Sequence, residues 1–236
     1  MENTGDSIVA KNASWTFGGN VADKFDAHVS KSVPLYKEGH DLVLKIADFF
    51  INDESVCYEL GCSTGALTYA LAKRNENKKA KFFGIDIEEP MIKNAKDRCK
   101  GLKSVTLKSM DVLDVEFQKA DLIVAYYTFQ FIRPKNRQVI FDRVFQALNW
   151  GGAFLLFEKV RSADARFQDM MTTIYTDYKI DQGYSSDEIV GKTRSLKGVL
   201  EPFSTQGNRD LLTRAGFVDI MTVMKYVSFE GFLAIK

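Results

Sequence analysis

The stretch Glu59-Leu60-Gly61-Cys62-Ser63-Thr64-Gly65 closes a short apolar run, 56–60, and opens a helical pattern near Ala66. Glycines at a strand-to-helix turn permit tight backbone geometry and let a ligand approach the chain, because no Cβ stands in the way. The spacing is not the G-x-G-x-x-G of a dinucleotide fingerprint, and the turn has no lysine for a P-loop. Both phosphate-binding readings lose ground. Outward from this turn, apolar runs alternate with helical patterns. Strands are expected at 81–87, 105–110, 121–126 and 153–159, and in the tail at 217–226 and 229–236. Pro90 and Pro134 suit first-turn positions, and Gly151-Gly152 stops the helix carrying Ile140, Val144, Ala147 and Leu148. Such alternation means an α/β fold: a parallel sheet covered by helices on both faces, with right-handed crossovers. Ligands then belong at the carboxyl ends of the strands.

Two acids sharpen this placement. Asp86 closes the second strand, 21 residues after Gly65, where a carboxylate accepts both hydroxyls of a ribose. Asp111 closes the third, where an acid or its neighbouring backbone reads an adenine edge. Singly, each acid equally suits a helix N-cap or a solvated strand end. Together with the glycine turn, at the ends of successive strands, they describe an adenosine pocket with no phosphate-binding device.

Residues 1–14 are polar and read as a flexible, frayed tail; 15–236 read as a single domain. Within it, 15–50 form N-terminal lid helices, with Leu42, Val43, Ile46, Phe49 and Phe50 on one stripe of the segment 37–50. The segment 161–200 breaks the strand–helix alternation and reads as a helical cap. It begins with a long helix carrying Phe167, Met170, Met171, Ile174, Tyr175 and Tyr178 at helical spacing, then Gly183. A second helix starts from the capping box Ser185-x-x-Glu188. The apolar stripe is expected to be core packing, with a substrate lid or subunit contact as the alternative.

At 236 residues, 45% apolar and 27% charged, the composition is that of an ordered globular domain able to build its own core. The formal net charge of +1 supplies no global field toward nucleic acid or an anionic membrane. The lysine-rich stretches 73–74, 78–79 and 93–100 are balanced by acids, so direct nucleic-acid binding is not expected. Cys57, Cys62 and Cys99 are an odd number with no C-x-x-C pair, which fits a reducing compartment. With only His28 and His40, no histidine metal site is expected. No apolar h-region opens the chain and no run approaches the ~20 residues of a membrane span. A cytoplasmic protein with no membrane partner is expected.

Glu59-x-Gly61-x-x-x-Gly65, Asp86 and Asp111 resemble the motifs of class I S-adenosylmethionine-dependent methyltransferases. From Trp15 on, the chain resembles most closely carboxy-S-adenosylmethionine synthase and its methyltransferase-like relatives. The resembling stretches include Ser32-Val33-Pro34-Leu35-Tyr36, Leu60-Gly61-Cys62-Ser63, Thr128-Phe129-Gln130-Phe131, Glu158-Lys159, Gly183-Tyr184-Ser185 and Arg194-Ser195-Leu196. The resemblance implies a three-layer Rossmann-like fold, a mostly parallel seven-stranded sheet with an antiparallel last strand, and a homodimer. It implies S-adenosyl-L-methionine, or carboxy-S-adenosyl-L-methionine, as the cofactor. Tyr36 would lie over it, the turn Glu59, Gly61, Cys62, Ser63 and Gly65 would meet its methionyl part, Asp86-Ile87 its ribose and Asp111-Val112 its adenine. Arg194 would grip the extra carboxylate of a carboxylated cofactor, for which a planar guanidinium fork is suited.

The departures cluster at the reacting carbon. Tyr126 stands where the family's fourth strand offers an asparagine near the cofactor, Tyr175-Thr176 where the synthase carries a histidine pair, and Phe17-Gly18-Gly19-Asn20 where its lid is acidic. With Tyr126 and Arg194 as the candidate catalytic residues, the reading expected from the sequence is a methyltransferase acting on a small-molecule acceptor. Its first alternative is a carboxy-S-adenosylmethionine synthase, which adds a prephenate-derived carboxyl to the cofactor to serve tRNA wobble-uridine modification by a separate enzyme. Its second is a cofactor-binding protein without turnover.

Overall fold

The computed structural model describes residues 2–6, 8–18 and 21–236. Two short strands, β1 (Glu2–Asn3) and β2 (Val9–Ala10), pair antiparallel and precede helices α1 (Val21–Ser32) and α2 (Tyr36–Ala47). Strands and helices then alternate: β3 (Val56–Leu60), α3 (Ala66–Arg74), β4 (Lys81–Asp86), α4 (Glu89–Arg98) and β5 (Val105–Ser109). β6 (Ala120–Tyr126), α5 (Pro134–Ala147) and β7 (Leu148–Lys159) continue the run. The cap is α6 (Ala165–Asp181) and α7 (Ser186–Ser195), and α8 (Thr205–Ala215), β8 (Asp219–Tyr226) and β9 (Phe229–Ile235) complete the chain.

The sheet order is β5-β4-β3-β6-β7-β9-β8. Strands β3 to β7 run parallel, and β9, the last in the chain, lies antiparallel to both β7 and β8. Central strands of such a sheet are covered on both faces, so they read as unbroken apolar runs; Leu122 to Ala125 of β6 are wholly buried. One face packs Ile140, Phe141 and Val144 of α5 with Leu211 and Leu212 of α8. The other packs Val43 and Ala47 of α2 with Leu67 and Leu71 of α3. The strand order turns around between β3 and β6, which opens a crevice at their carboxyl ends, where open α/β sheets hold ligands.

Two expectations are corrected. Where a flexible tail was expected over 1–14, the described residues 2–6 and 8–14 are packed: β1 pairs β2, Thr4 and Ile8 are buried, and Ile8 joins Trp15, Val21, Phe25 and Met91 in a small cluster of its own. A polar composition concealed one well-placed apolar side chain and an anchoring acid, since Asp6 Oδ2 accepts from Tyr184 Oη at 2.8 Å and lies 2.7 Å from His28 Nδ1. The α6 stripe is not core either. Phe167, Met170 and Ile174 are 54%, 47% and 45% exposed, and on this helix the buried side chain is Lys179. The helix stands as a wall over the carboxyl ends of the strands, so one face looks into the crevice and the other outward. The capping box does form, with Ser185 and Glu188 bonded reciprocally. In the lid stretch, Gly19 and Asn20 lie outside the described residues.

Candidate functional site

The turn after β3 is built from residues that tolerate left-handed backbone. Gly61 and Gly65 have φ of +80° and +74°, and a Cβ at Gly61 would collide with the Thr128 side chain. The amides of Gly61 and Cys62 both donate to the Ile85 carbonyl, at 2.7 and 2.9 Å, which ties the turn to β4. Ser63 N then donates to Asp86 Oδ2 at 2.8 Å, and Glu88 N to Asp86 Oδ1 at 3.0 Å. Burial raises the Asp86 pKa while these backbone donors oppose the rise. Each oxygen thus spends one lone pair on the backbone and keeps capacity for a vicinal diol. Asp111 does two things: its Oδ1 accepts from Leu113 N at 2.9 Å as an N-cap, and it also borders the crevice.

The crevice is a cavity of about 770 Å³, toward the upper end of the ~300–1,000 Å³ of small-molecule sites. Gly61, Ser63, Asp86, Ile87, Asp111 and Val112 line one end, with Tyr36 and Tyr126 beside them. Glu59 and Cys62 open instead onto a small side chamber shared with Tyr36 and His40, and Gly65 lies behind the turn. Burial pushes the Glu59 carboxyl up to about 8, against a hydrogen bond from the Thr68 hydroxyl. The Tyr126 hydroxyl is already committed: it donates to the Tyr36 carbonyl at 2.8 Å, with the ring packed on His40. Tyr126 therefore holds the start of α2 in place and has no free hydroxyl proton to offer a reactant.

Arg194 is not brought to this site. It is exposed on α7 and off the cavity wall, while its carbonyl accepts from Ala13 N at 3.0 Å. Three lysines that the sequence reading passed over line the far end of the cavity: Lys159 at the carboxyl end of β7, Lys179 on α6 and Lys192 on α7. Lys159 Nζ and Lys179 Nζ lie 4.2 and 4.7 Å from the centre of the Tyr175 ring. Lys192 Nζ sits over the Trp15 ring, 3.2 Å from His28 Nε2. Burial, reinforced for Lys159 and Lys192 by the charge of Lys179, lowers these ammonium groups to about 7, 8 and 6 in chain order. One signal could have found Lys159: it closes a strand whose fellows Asp86 and Asp111 were picked out for that same position.

The comparisons with known proteins follow this geometry. A methyltransferase domain model matches residues 58–152, from β3 through the start of β7. A carboxy-S-adenosyl-L-methionine synthase of Staphylococcus epidermidis is 37% identical over 226 residues, 94% of this chain and 97% of that one. The synthase of Nautilia profundicola is 38% identical over 222 residues, 93% and 94% of the two chains. Among solved structures, a putative O-methyltransferase from Nostoc punctiforme matches with a TM-score of 0.66 at 16% identity, over 92% of this chain and 60% of that one. Human N-acetylserotonin methyltransferase in complex with S-adenosylmethionine gives 0.60 at 16%, over 86% and 52%. The solved structures share the fold; the relatives align along nearly the whole chain. With the open-ended carboxylate at β4 and the glycine turn at β3, they make this an S-adenosylmethionine-dependent, methyltransferase-type enzyme, and the chain belongs to the carboxy-S-adenosyl-L-methionine synthase family.

Proposed function

We propose that this enzyme carboxylates its cofactor, acting as a carboxy-S-adenosylmethionine synthase, instead of passing a methyl group to a small acceptor. The observation that carries the reading is the far end of the cavity, where Lys159, Lys179 and Lys192 gather with no carboxylate in ion-pair contact among the described residues. A neutral methyl acceptor gives no reason to gather three lysines whose burial works against their charge, whereas a bound anion favours their ammonium forms. A carboxylated donor and product supply that anion, and the relatives' name points the same way. This reverses the order of the two enzyme readings drawn from the sequence.

In this reading Asp86 and Ile87 hold the ribose, Asp111 and Val112 the adenine, and the Gly61–Ser63 turn the methionyl part. Glu59 lies beside that turn and Tyr36 closes over it. The sulfonium supplies the activated carbon, so the protein's task is orientation and water exclusion. Tyr126 replaces the family's asparagine without hydrogen-bonding a ligand, because its hydroxyl is spent on Tyr36. Arg194 has no part at the carboxylate. A second copy of the chain covers the outer face of α6, and three buried free thiols suit a cytoplasmic setting. The test incubates purified protein with S-adenosylmethionine and prephenate and reads the cofactor by mass spectrometry. A gain of one carbon dioxide, dependent on prephenate, is expected. An unchanged cofactor, with ordinary S-adenosylmethionine or S-adenosylhomocysteine copurifying, overturns the reading in favour of methyl transfer.

A further inference from the structure

The turn that follows β6 is fixed at both of its ends. Phe129–Phe131 form a single helical turn, and the buried guanidinium of Arg137, on α5, donates to the carbonyls of Ile132 and Gln130 at 2.9 and 3.0 Å. The amide of Glu201 gives the Gln130 carbonyl a second donor, at 3.0 Å. At the other end of the turn the buried Glu158 carboxyl faces the amides of Phe129 and Gln130. What this clamped turn carries inward is the Gln130 side chain, itself buried and on the wall of the main cavity. One of its two polar atoms is committed: Oε1 accepts from the Lys159 main-chain N–H at 2.7 Å. A main-chain N–H only donates, so the carboxamide is not free to turn over, and Nε2 is held on the opposite side of the group. Nε2 has no acceptor among the described residues, yet it is not sealed off as the Tyr127 hydroxyl is. Its N–H bonds therefore open on the cavity.

Solvent meets such a donor in an open cavity, but a ligand that displaces the solvent must take over the bond or leave it unmade. The place of the donor says which ligand. Gln130 comes two residues after Thr128, whose side chain occupies the space that a Cβ on Gly61 would need, and it is bonded to the end of β7 at Lys159. It stands at the junction between the glycine turn, where the cofactor's methionyl part belongs, and the remainder of the cavity. We propose that Gln130 is a ligand-contacting residue: its Nε2 donates to a carboxyl oxygen of the second substrate where that substrate meets the cofactor, and so orients it. The inference rests on the synthase reading above and deepens it by naming an orienting residue. A neutral amide suits the task, since it fixes the direction of an oxygen without cancelling the oxygen's charge. A strut that merely anchors Lys159 to the turn uses Oε1 alone and asks nothing of Nε2.

Two substitutions separate these roles. Gln130→Glu keeps an oxygen for the Lys159 amide, loses the N–H donor and adds a charge. Gln130→Met loses donor and anchor together and adds no charge, so the loss of the donor is the one change the two share. The full chain is assayed for prephenate-dependent carboxylation of S-adenosylmethionine by mass spectrometry, with S-adenosylhomocysteine calorimetry and urea denaturation as controls. Both variants are expected to lower kcat/KM for prephenate by about tenfold, the scale of one hydrogen bond to a charged group. S-adenosylhomocysteine affinity is expected to stay within about twofold of wild type, and only Gln130→Met to lose stability. A loss confined to Gln130→Met shows an anchor only, and one confined to Gln130→Glu a charge effect only; either overturns the proposal. Should Gln130→Met fold poorly, the wild-type side-chain amide resonance of Gln130, assigned by its absence from Gln130→Glu, is followed in the S-adenosylhomocysteine complex. It is expected to shift when prephenate is added, and an unmoved resonance overturns the contact. Wild-type protein that makes no carboxylated cofactor removes the synthase reading and this contact with it. Wild-type protein that does, with variants that keep pace, removes the contact alone.

Discussion

Asp86 holds its carboxylate between two backbone amides and presents the remainder to the cavity, so its removal separates binding from folding. Asp86→Ala is expected to weaken S-adenosylhomocysteine by ~1.5–3 kcal/mol, the scale of hydrogen bonds to a charged group, with the fold retained. Calorimetry with a circular dichroism control decides this, and an unchanged affinity would remove Asp86 from the cofactor site. Glu59 gives a pH signature. Its folded-state pKa, raised to about 8 by burial, lies above the unfolded value, so its favourable contribution is complete below about pH 4.5 and is lost as pH rises toward 8. Glu59→Gln keeps the shape and removes the titration. The variant's stability relative to wild type is therefore expected to grow between pH 5 and pH 8, by ~3 kcal/mol; parallel urea midpoints at all pH values would refute it. Residues of this kind were legible in the sequence because a strand end fixes where their side chains go. Lys192 and Arg194 were not. Two residues apart on a helix, they point about 200° from each other, so bringing one to the cavity sends the other out. The resemblance singled out Arg194, which in the single chain faces away from the cavity that Lys192 lines.

Between elements, the tyrosine pair at the end of β6 shows how similar side chains divide into a strut and an orphan. The Tyr126 hydroxyl joins β6 to the first residue of α2, and Gly39 one turn on has no Cβ because that hydroxyl occupies its place. The Tyr127 hydroxyl has no hydrogen-bond partner among the described residues. Tyr126→Phe is expected to cost ~0.5–1.5 kcal/mol in urea denaturation, the net worth of one buried hydrogen bond. Tyr127→Phe is expected to be neutral or slightly stabilising, since it removes an unsatisfied group; equal losses in the two variants would contradict the assignment. Neither outcome could be read from Ala125-Tyr126-Tyr127 alone, because sequence gives the strand period but not which hydroxyl meets a carbonyl 90 residues away. Four strands of the parallel sheet, β3 to β6, were readable to within a residue, since burial on both faces forces unbroken apolar runs. β7 starts five residues before the expected 153, because α5 ends at Ala147 and Leu148 to Gly152, expected to close that helix, already belong to the strand. The N-terminal clasp and the α6 wall were not readable. In both, a few long-range polar contacts, such as Asp6 with His28 and Tyr184, decide the packing of segments whose local composition is ambiguous.

For the whole molecule, α6 links the cavity to the outer surface. Its inner face carries Tyr175 and Lys179 onto the cavity wall, while Phe167, Met170 and Ile174 form a stripe on the outer face at i, i+3 and i+7. Single exposed apolar residues need no explanation, but a helix-long stripe of them marks a surface that another body covers. The proposed second copy of the chain, related by a twofold axis, would pair such a stripe with itself and close the assembly. Light scattering is therefore expected to give twice the 26.7 kDa of the chain. Ile174→Glu, which sets like charges across the twofold, is expected to give 26.7 kDa at all but the highest concentrations. Wild-type protein that stays at the single-chain mass across a concentration series would eliminate the dimer. Because both jobs fall on one helix, they are coupled. Releasing the outer face of α6 frees the wall that positions Lys179, whereas the Asp86 end, built on β3 and β4, does not depend on it. Ile174→Glu is accordingly expected to lower affinity for the anionic second substrate severalfold and leave S-adenosylhomocysteine binding unchanged, a split that general unfolding could not produce.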